Sequence, residues 1–358
     1  MRIPACTIGA SLPVPFPVAT FPGIDAPPSS VTVLDVAREA GVSPSTVSRI
    51  LNGTARVTSD KRSAVEEAIR KLDFRPNLFA RSLKTGTTMT IGILTQDVES
   101  PFYGRAMKGI EAGLAGTGYA PIMVSGHWNA AEESERVRLL MARRIDGLVI
   151  LTGHLDDRQI AEFARHQPIV VTGRQLEAPQ VRAFTLDQEA GGHLATRHLL
   201  NLGHRRIAHI AGPSDHTDAT DRRAGYERAL REAGIAAAPE LVVQGDFMES
   251  GGLLAMNRLL DSGQTFTAVF AANDQTAFGA RMALYRRGVR VPDDVSIVGV
   301  DDLPATAYAT PPMTTVRQPI YEIGLAAAHA LLTMLGHAMP AVEVPPLELI
   351  VRETTRRL

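Results

Sequence analysis

Most of the chain alternates short β-rich apolar runs with longer stretches of helical periodicity. The runs IGILT (91–95), APIMV (120–124), GLVIL (147–151) and PIVVT (168–172) form one series of candidate strands. RIAHIA (206–211), ELVVQ (240–244), TAVFAA (267–272) and VSIVGV (295–300) form a second. Between them lie helical stretches at 103–116, 130–143, 188–201, 219–233, 249–261 and 274–287. Apolar runs this short suit buried strands, and the spacing leaves one helix for each crossover. Two such series predict two doubly wound parallel sheets, whose ligands bind beyond the carboxyl ends of the strands.

Ahead of residue 90 the pattern changes. In VTVLDVAREAGVSPSTVSRILN (31–52), Val36, Ala37 and Ala40 share one helical face, and Gly41 suits the left-handed backbone that ends a helix. Val42 can plug the corner. Ser43 is a good N-cap, and Pro44 at the first helical position needs no amide proton. Val47, Ile50 and Leu51 then turn inward, while Pro44, Ser45, Ser48, Arg49 and Asn52 face outward. A third helix over 59–72 offers Val65, Ala68, Ile69 and Leu72 to the same small core. Such a short, polar, partly basic outer face can enter a major groove. An ordinary helical hairpin fits the pattern equally well.

The next stretch, RPNLFARSLKTGTT (75–88), decides between them. Arg75-Pro76 stops the third helix, Asn77 can cap a short one to Lys84, and Thr85-Gly86-Thr87-Thr88 breaks into a linker. A two-turn helix is marginal in water, so it should order only against a partner. Leu78, Phe79 and Leu83 beside Arg81 and Lys84 make an apolar wedge flanked by phosphate-seeking charge, which suits minor-groove insertion.

Composition sharpens this picture in two places. The 358 residues carry a formal charge of −1, with 45% hydrophobic and 21% charged residues, which is ordinary for a globular chain of two or three domains. Residues 31–86 nevertheless hold ten Lys/Arg against six Asp/Glu, a net of +4 that leaves −5 on the remainder. A basic head on an acidic body suits a polyanionic partner of the head alone, although a solvated charged face accounts for the same count. Residues 1–30 are interrupted by prolines at 4, 13, 15, 17, 22, 27 and 28 and read as a disordered tail, consistent with an upstream start assignment. There is no secretory signal pattern and no apolar run near the ~18 residues of a membrane span, so no membrane partner is expected. Cys6 is the one cysteine, which rules out an internal disulfide or a cysteine-based zinc site and favours a cytoplasmic setting.

The strand ends supply candidate chemistry: Asp97, Pro101-Phe102-Tyr103, Arg174, Asn273 and Asp301. The loop PSDHTDATDRR (213–223) adds Arg222, four residues before Tyr226. Aromatics can cover a ring face, while Asn, Asp and Arg satisfy hydroxyls through paired hydrogen bonds. Each residue also has a plainer role, Asp301 and Asn273 as helix caps and Phe102 or Tyr103 as core. G-x-S-x-G, H-E-x-x-H and G-x-x-x-x-G-K-[ST] are absent, and no G-x-G-x-x-G follows a strand. His193, His198, His204 and His209 straddle a helix, a turn and a strand, so they read as satisfied histidines rather than metal ligands. No metal and no cofactor are expected.

With these residues in hand, the chain resembles the lactose-repressor/galactose-repressor (LacI/GalR) family of bacterial transcriptional regulators. The opening 31–52, ARSLK (80–84), GHRRIAHIAGP (203–213), ANDQTAFGA (272–280), VPDDVSIVGVDD (291–302) and PPMTTVRQP (311–319) follow that family's order and spacing. The resemblance runs from about Val31 to the C-terminus, and only the Pro-rich tail departs from it. It implies that Phe102, Tyr103, Arg222, Asn273 and Asp301 face an effector between two lobes. Gly173 stands where several sugar-responsive relatives have Asp. Stretches of the DPFFG, ATRHL and SGG type look closer to sugar-responsive than to purine-responsive relatives.

The expected fold is α/β: an all-α helix-turn-helix head and a two-lobed, periplasmic-binding-protein-like body. The head spans 31–75, the hinge helix and linker 76–88, and the effector-binding and dimerisation domain 89–358. Lobe 1 covers about 89–186 and 317–346, and lobe 2 about 187–316 and 347–358, with crossings near 187, 317 and 347. The expected function is a DNA-binding repressor controlled by a small sugar or sugar derivative. A purine or other metabolite is the alternative effector; a sugar-binding transport protein or sugar-acting enzyme is less favoured. The DNA-contacting set is Thr32, Ser43, Pro44, Ser45, Thr46, Ser48, Arg49 and Asn52 on the head, with Arg81, Leu83 and Lys84 on the hinge. The effector set is Phe102, Tyr103, Arg174, Arg222, Asn273 and Asp301. Each head reads half a site, so a homodimer on a pseudo-palindromic double-stranded operator is expected. The ending ETTRRL carries no further leucine heptad helix, which favours a dimer over a tetramer.

Overall fold

A computed structural model of the chain describes residues 31–51, 57–74 and 86–358. The tail 1–30, Asn52 and the hinge residues Arg81, Leu83 and Lys84 lie outside the described residues. Two compact units divide the chain after Lys84.

The first unit contains α1 (Val33–Glu39), α2 (Pro44–Leu51) and α3 (Ser59–Lys71). Thr32 opens α1 through a capping box: its hydroxyl donates to Asp35 at 2.7 Å, and its backbone N–H donates to the same carboxylate at 2.9 Å. Gly41 turns the chain at φ +62°, and Ser43 Oγ accepts the Thr46 amide at 3.2 Å to start α2. Val36, Ala37, Val47, Ile50, Val65 and Ala68 meet in one core with Phe74, a residue the helical pattern did not single out. Phe74 follows the last turn of α3, so its inward position depends on the chain reversing there and not on helix periodicity.

The second unit begins with β1 (Thr90–Thr95), α4 (Pro101–Leu114), β2 (Ala120–Ser125), α5 (Ala130–Ala142), β3 (Gly147–Leu151), α6 (Asp157–Ala164), β4 (Ile169–Thr172) and β5 (Val181–Phe184). These strands form one parallel sheet in the order β2-β1-β3-β4-β5. The chain then builds α7 (Gln188–Asn201), β6 (Ile207–Ala211), α8 (Thr217–Glu232), β7 (Val242–Gln244), α9 (Glu249–Asp261), β8 (Ala268–Ala271), α10 (Asp274–Arg286), β9 (Ser296–Asp301), α11 (Pro304–Tyr308) and β10 (Thr314–Arg317). Helix α12 (Ile320–Met334) returns to the first lobe, where Ile323, Ala327 and Leu331 join the core of Ile91, Ile110 and Val149. Strand β11 (Glu348–Ile350) closes the second sheet, ordered β11-β10-β9-β8-β6-β7.

Two readings of the pattern need correction. The second sheet is not wholly parallel, because β11 pairs antiparallel with β10. Strand ELVVQ starts later than its apolar run, since Pro239–Leu241 form a 3-10 turn and only Val242–Gln244 pair. Strands β5, β10 and β11 were not visible as apolar runs at all. They are three or four residues long, and their sequences carry Arg, Thr or Glu.

Three helix pairs pack backbone against backbone through glycines. On α4, a side chain at Gly109 would overlap the Tyr321 carbonyl of α12, and one at Gly324 would overlap Ala106. Gly192 of α7 and Gly225 of α8 make the same crossing, against Arg222 and Glu189, as do Gly252 of α9 and Gly279 of α10 against Thr276 and Glu249. Interiors are close-packed, so one added methyl has no room except by parting two helices. Gly109→Ala should therefore lower stability by about 1–3 kcal/mol; a melting temperature equal to wild type would mean that the α4–α12 crossing is loose.

Candidate functional site

The sheets of the second unit end in a crevice between the two lobes, with a cavity of about 320 Å³. Five of the six effector residues read from the sequence, Phe102, Tyr103, Arg222, Asn273 and Asp301, are in its wall. Phe102 and Tyr103 come from the first turn of α4, edge to face at 5.2 Å. Tyr103 is buried and shares a hydrogen bond with Thr152 at 2.9 Å. Burial raises its phenol pKa further, so it acts here as a neutral hydroxyl.

Arg222 and Asp301 are held by a chain of amides. The Arg222 Nε donates to Gln188 Oε1 at 2.9 Å, Gln188 Nε2 to Gln318 Oε1 at 2.8 Å, and Gln318 Nε2 to Asp301 Oδ1 at 2.6 Å. Arg222 Nη1 also donates to the Ala272 carbonyl at 2.7 Å, and its guanidinium lies 5.7 Å from the Phe247 ring centroid. Gln188 and Gln318 sit where the chain passes between the lobes, after β5 and after β10. The pair of charges facing the crevice is thus wired to two crossings.

Asp301 ends β9 at φ +122° and Asp302 follows at φ +55°. Consecutive non-glycine residues in this region store strain of about 1–3 kcal/mol each, and such strain clusters at ligand sites. Burial pushes the Asp301 carboxyl up to about 6, against the opposing pull of Arg222 and of the Gln318 hydrogen bond. Asp274, buried behind it, is raised by burial and then by the charge of Asp301, while Thr315 and the Leu303 amide donate to it at 2.6 and 2.8 Å.

Asn273 takes the helix-cap role: its Oδ1 accepts the Thr276 amide at 2.9 Å and its Nδ2 donates to Phe247 O at 2.9 Å. It lines the crevice with both ends of its amide already engaged. Arg174 does not join the other five. It donates to Leu155 O and Gly153 O, both at 2.6 Å, and pairs with Asp157 at 3.2 Å, in the wall of an adjoining chamber. The four histidines offered as a metal possibility are dispersed: His193 meets Glu232, His198 Thr355, His204 Thr267, and His209 the Phe270 carbonyl.

Sequence reasoning missed Trp128, His216, Asp218 and Phe247, all in the same wall. Trp128 packs edge-on to His216 at 4.7 Å across the lobes, and His216 does the same to Phe247 at 5.1 Å. Burial, then the charge of Arg222, lowers His216 to about 4, so it stays neutral near pH 7. The one signal for Trp128 was position: it is the single tryptophan and lies just past the end of β2. In the head, the Ser43 hydroxyl bonds to those of Ser45 and Thr46, each at 2.9 Å, at the start of α2, and Arg49 is exposed near its end.

Comparison with known proteins gives two matching family models. Residues 32–77 match "Bacterial regulatory proteins, lacI family", and residues 196–355 match "Periplasmic binding protein-like domain". The HTH-type transcriptional regulator GalR of Escherichia coli (strain K12) is 38% identical over 304 residues, 85% of this chain and 89% of that one. The HTH-type transcriptional repressor PurR of Haemophilus influenzae (strain ATCC 51907 / DSM 11121 / KW20 / Rd) is 34% identical over 337 residues, covering 91% and 99%. A solved lac repressor dimer, bound to operator and the anti-inducer ONPF, superposes with a TM-score of 0.79 at 30% identity, over 91% and 99% of the two chains.

Asp301 gives a pH test with a definite sign. A carboxyl whose folded pKa is raised adds stability that is complete below its unfolded value near 4 and is lost as pH rises through about 6. Asp301→Asn should remove that contribution. The melting temperature of wild type relative to the variant is expected to fall between pH 4 and pH 7; a constant difference would show that Asp301 ionises normally.

Proposed function

The chain belongs to the lacI family of bacterial regulatory proteins, and on that premise we propose that it is a repressor whose operator binding is set by a sugar held between its lobes. It is a DNA-binding transcriptional regulator rather than an enzyme. The observation that carries the effector reading is the crevice itself. A buried guanidinium and a buried carboxylate face a cavity whose other walls are the aromatic rings of Phe102, Trp128 and Phe247. Charged groups give bidentate hydrogen bonds to neighbouring hydroxyls, and aromatic rings cover the apolar face of a pyranose. A ring with many hydroxyls uses both; a purine would use the rings and leave much of the polar wall unpaired.

On this reading Arg222 and Asp301 make the central contacts, Tyr103 adds its hydroxyl, and Asn273 acts by holding Phe247 in place. Arg174 is reassigned to the adjoining chamber. In the head, α2 is the recognition helix: Pro44, Ser45, Ser48 and Arg49 project from it, with Ser43 and Thr46 at its start and Thr32 at the start of α1. The head spans 31–75 and the hinge 76–88. The lobes exchange chain near 187, 317 and 347. A homodimer is supported by a cluster of exposed apolar side chains on two adjacent helices, Leu254 on α9 and Met282 and Tyr285 on α10. A surface of that kind is unusual on a chain that works alone.

Effector binding acts by linkage. A ligand shifts the lobes only by its difference in affinity for their two arrangements, and about 5.5 kcal/mol carries an equilibrium over most of its range. Thermal-shift titration of sugars and purines tests the class: stabilisation by a purine and by no sugar overturns the sugar reading.

Two further outcomes check the parts. Trp128 is the single tryptophan and lines the crevice, so the bound effector should change the intrinsic emission of the protein. Binding of a sugar that leaves the Trp128 emission unchanged would be inconsistent with the site. Arg49→Ala should cost about 1–3 kcal/mol on the preferred operator and relax base preference at one position. Equal affinity and specificity in gel-shift titrations would take Arg49 out of base readout.

A further inference from the structure

Beside the crevice lies a second, larger chamber of about 800 Å³. The two share Thr152, His216 and Asp218 in their walls, so they adjoin at that boundary. The chambers differ in character. The crevice carries the aromatic rings. The second chamber is walled largely by polar groups, including Arg174, Asp187, Asp215 and Asp221. Gly173, at φ +74°, contributes backbone alone to its corner; a side chain there would collide with the Thr152 methyl.

Asp218 stands at the junction. It is on the first turn of α8, its side chain is only 14% exposed, and its sole charged partner is Arg222 at 4.0 Å. Among the described residues no donor lies within hydrogen-bond distance of its carboxylate. Burial raises its pKa, as expected for an acid taken out of water without donors. A carboxylate in this position needs hydroxyl donors from something that enters the site. Beyond it the chamber walls carry an excess of acids, and the one arginine there is already spent on Gly153, Leu155 and Asp157. An anionic ligand would be repelled, while a neutral, hydroxyl-rich one finds acceptors.

Resting on the sugar reading above, we propose that the effector is a neutral sugar of at least two linked rings. One ring lies in the aromatic crevice, the second lies in the adjoining chamber, and Asp218 bonds hydroxyls at the join. A cavity of 320 Å³ is near the lower end for small-ligand sites, and the chamber more than doubles the space. Asp218 is then a specificity-determining residue: it accepts from a hydroxyl only when a second ring or its linkage reaches the boundary.

Calorimetric titration of the full-length protein separates the possibilities. The probes are D-glucose and D-galactose, the disaccharides maltose, cellobiose and lactose, a hexose phosphate, and adenine and guanine as controls. At least one disaccharide should bind ten times or more tighter than the monosaccharides it contains, and the hexose phosphate should be the weakest sugar. Thr217→Trp places a large ring in the chamber from an exposed position at the start of α8. It should remove the disaccharide preference and leave monosaccharide affinity within twofold. Asp218→Asn, which keeps the shape and removes the charge, should cut disaccharide affinity at least tenfold. Monosaccharides binding as tightly as disaccharides, or Thr217→Trp leaving disaccharide affinity intact at an unchanged melting temperature, overturns the two-ring proposal while the sugar reading stands. Binding of a purine with no response to any sugar overturns the sugar reading itself.

Discussion

The guanidinium of Arg222 is taken almost wholly out of water, and much of the crevice wall follows from how that is made tolerable. An unpaired buried charge costs several kcal/mol, so the guanidinium needs acceptors. Two are supplied by Ala272 O and Gln188 Oε1, and the Gln188 amide hands its own donor to Gln318, which donates to Asp301. The result is a closed polar run from one charge facing the crevice to the other. Its two middle members stand at passages of the chain between the lobes. A polar run of this kind is stable only when complete, so the geometry of the site and that of the crossings are parts of one arrangement.

The glycine crossings place Arg222 in that arrangement. Gly192 lets α7 approach the Arg222 backbone, and Gly225 lets α8 approach Glu189, so the two helices are locked at a single depth. Gln188 begins α7 and Arg222 lies on α8, and their hydrogen bond holds only at that depth. The crossing of α9 and α10 sets Asn273 and Asp274 at the start of α10 in a similar way, through Gly252 and Gly279. Close packing thereby acts on the crevice wall at a distance, since Gly192, Gly225, Gly252 and Gly279 do not line it.

Across the crevice the lobes also meet through a ring contact and a few polar ones, among them Arg105 Nη1 donating to the Asp302 carbonyl at 2.8 Å. Trp128 of the first lobe meets His216 of the second, and Ser100 donates to Gln275 at 3.1 Å. A neutral His216 suits that contact, because burial and the neighbouring Arg222 of the same lobe both disfavour a charged imidazole there. Arg222 and Asp301, by contrast, are held by Ala272 O and by the side chains of Gln188 and Gln318.

Much of this was legible along the chain. The eight apolar runs read as strands all pair; the central ones show as continuous runs because a buried parallel strand must be apolar on both faces, while β2 and β7 lie at sheet edges. The head's corner was legible for a local reason: a Gly, a Ser cap and a Pro act within a few residues of themselves. Arg222, Asp301, Phe102, Tyr103 and Asn273 come together in one cavity wall because strand ends and their loops face the same side of a doubly wound sheet. Arg174 obeys the same positional rule yet turns to carbonyls of the neighbouring loop, a choice made by atoms distant in sequence. Strands β5, β10 and β11 are strands only because a neighbouring edge offers them partners, and α12 belongs to the first lobe only because Gly109 and Gly324 let it dock there. Trp128, His216, Asp218 and Phe247 carry no local pattern; they become a wall when two lobes from separate stretches of chain face one another. Short-range chemistry writes itself into the sequence, whereas a surface assembled across a crevice exists only once the chain has folded.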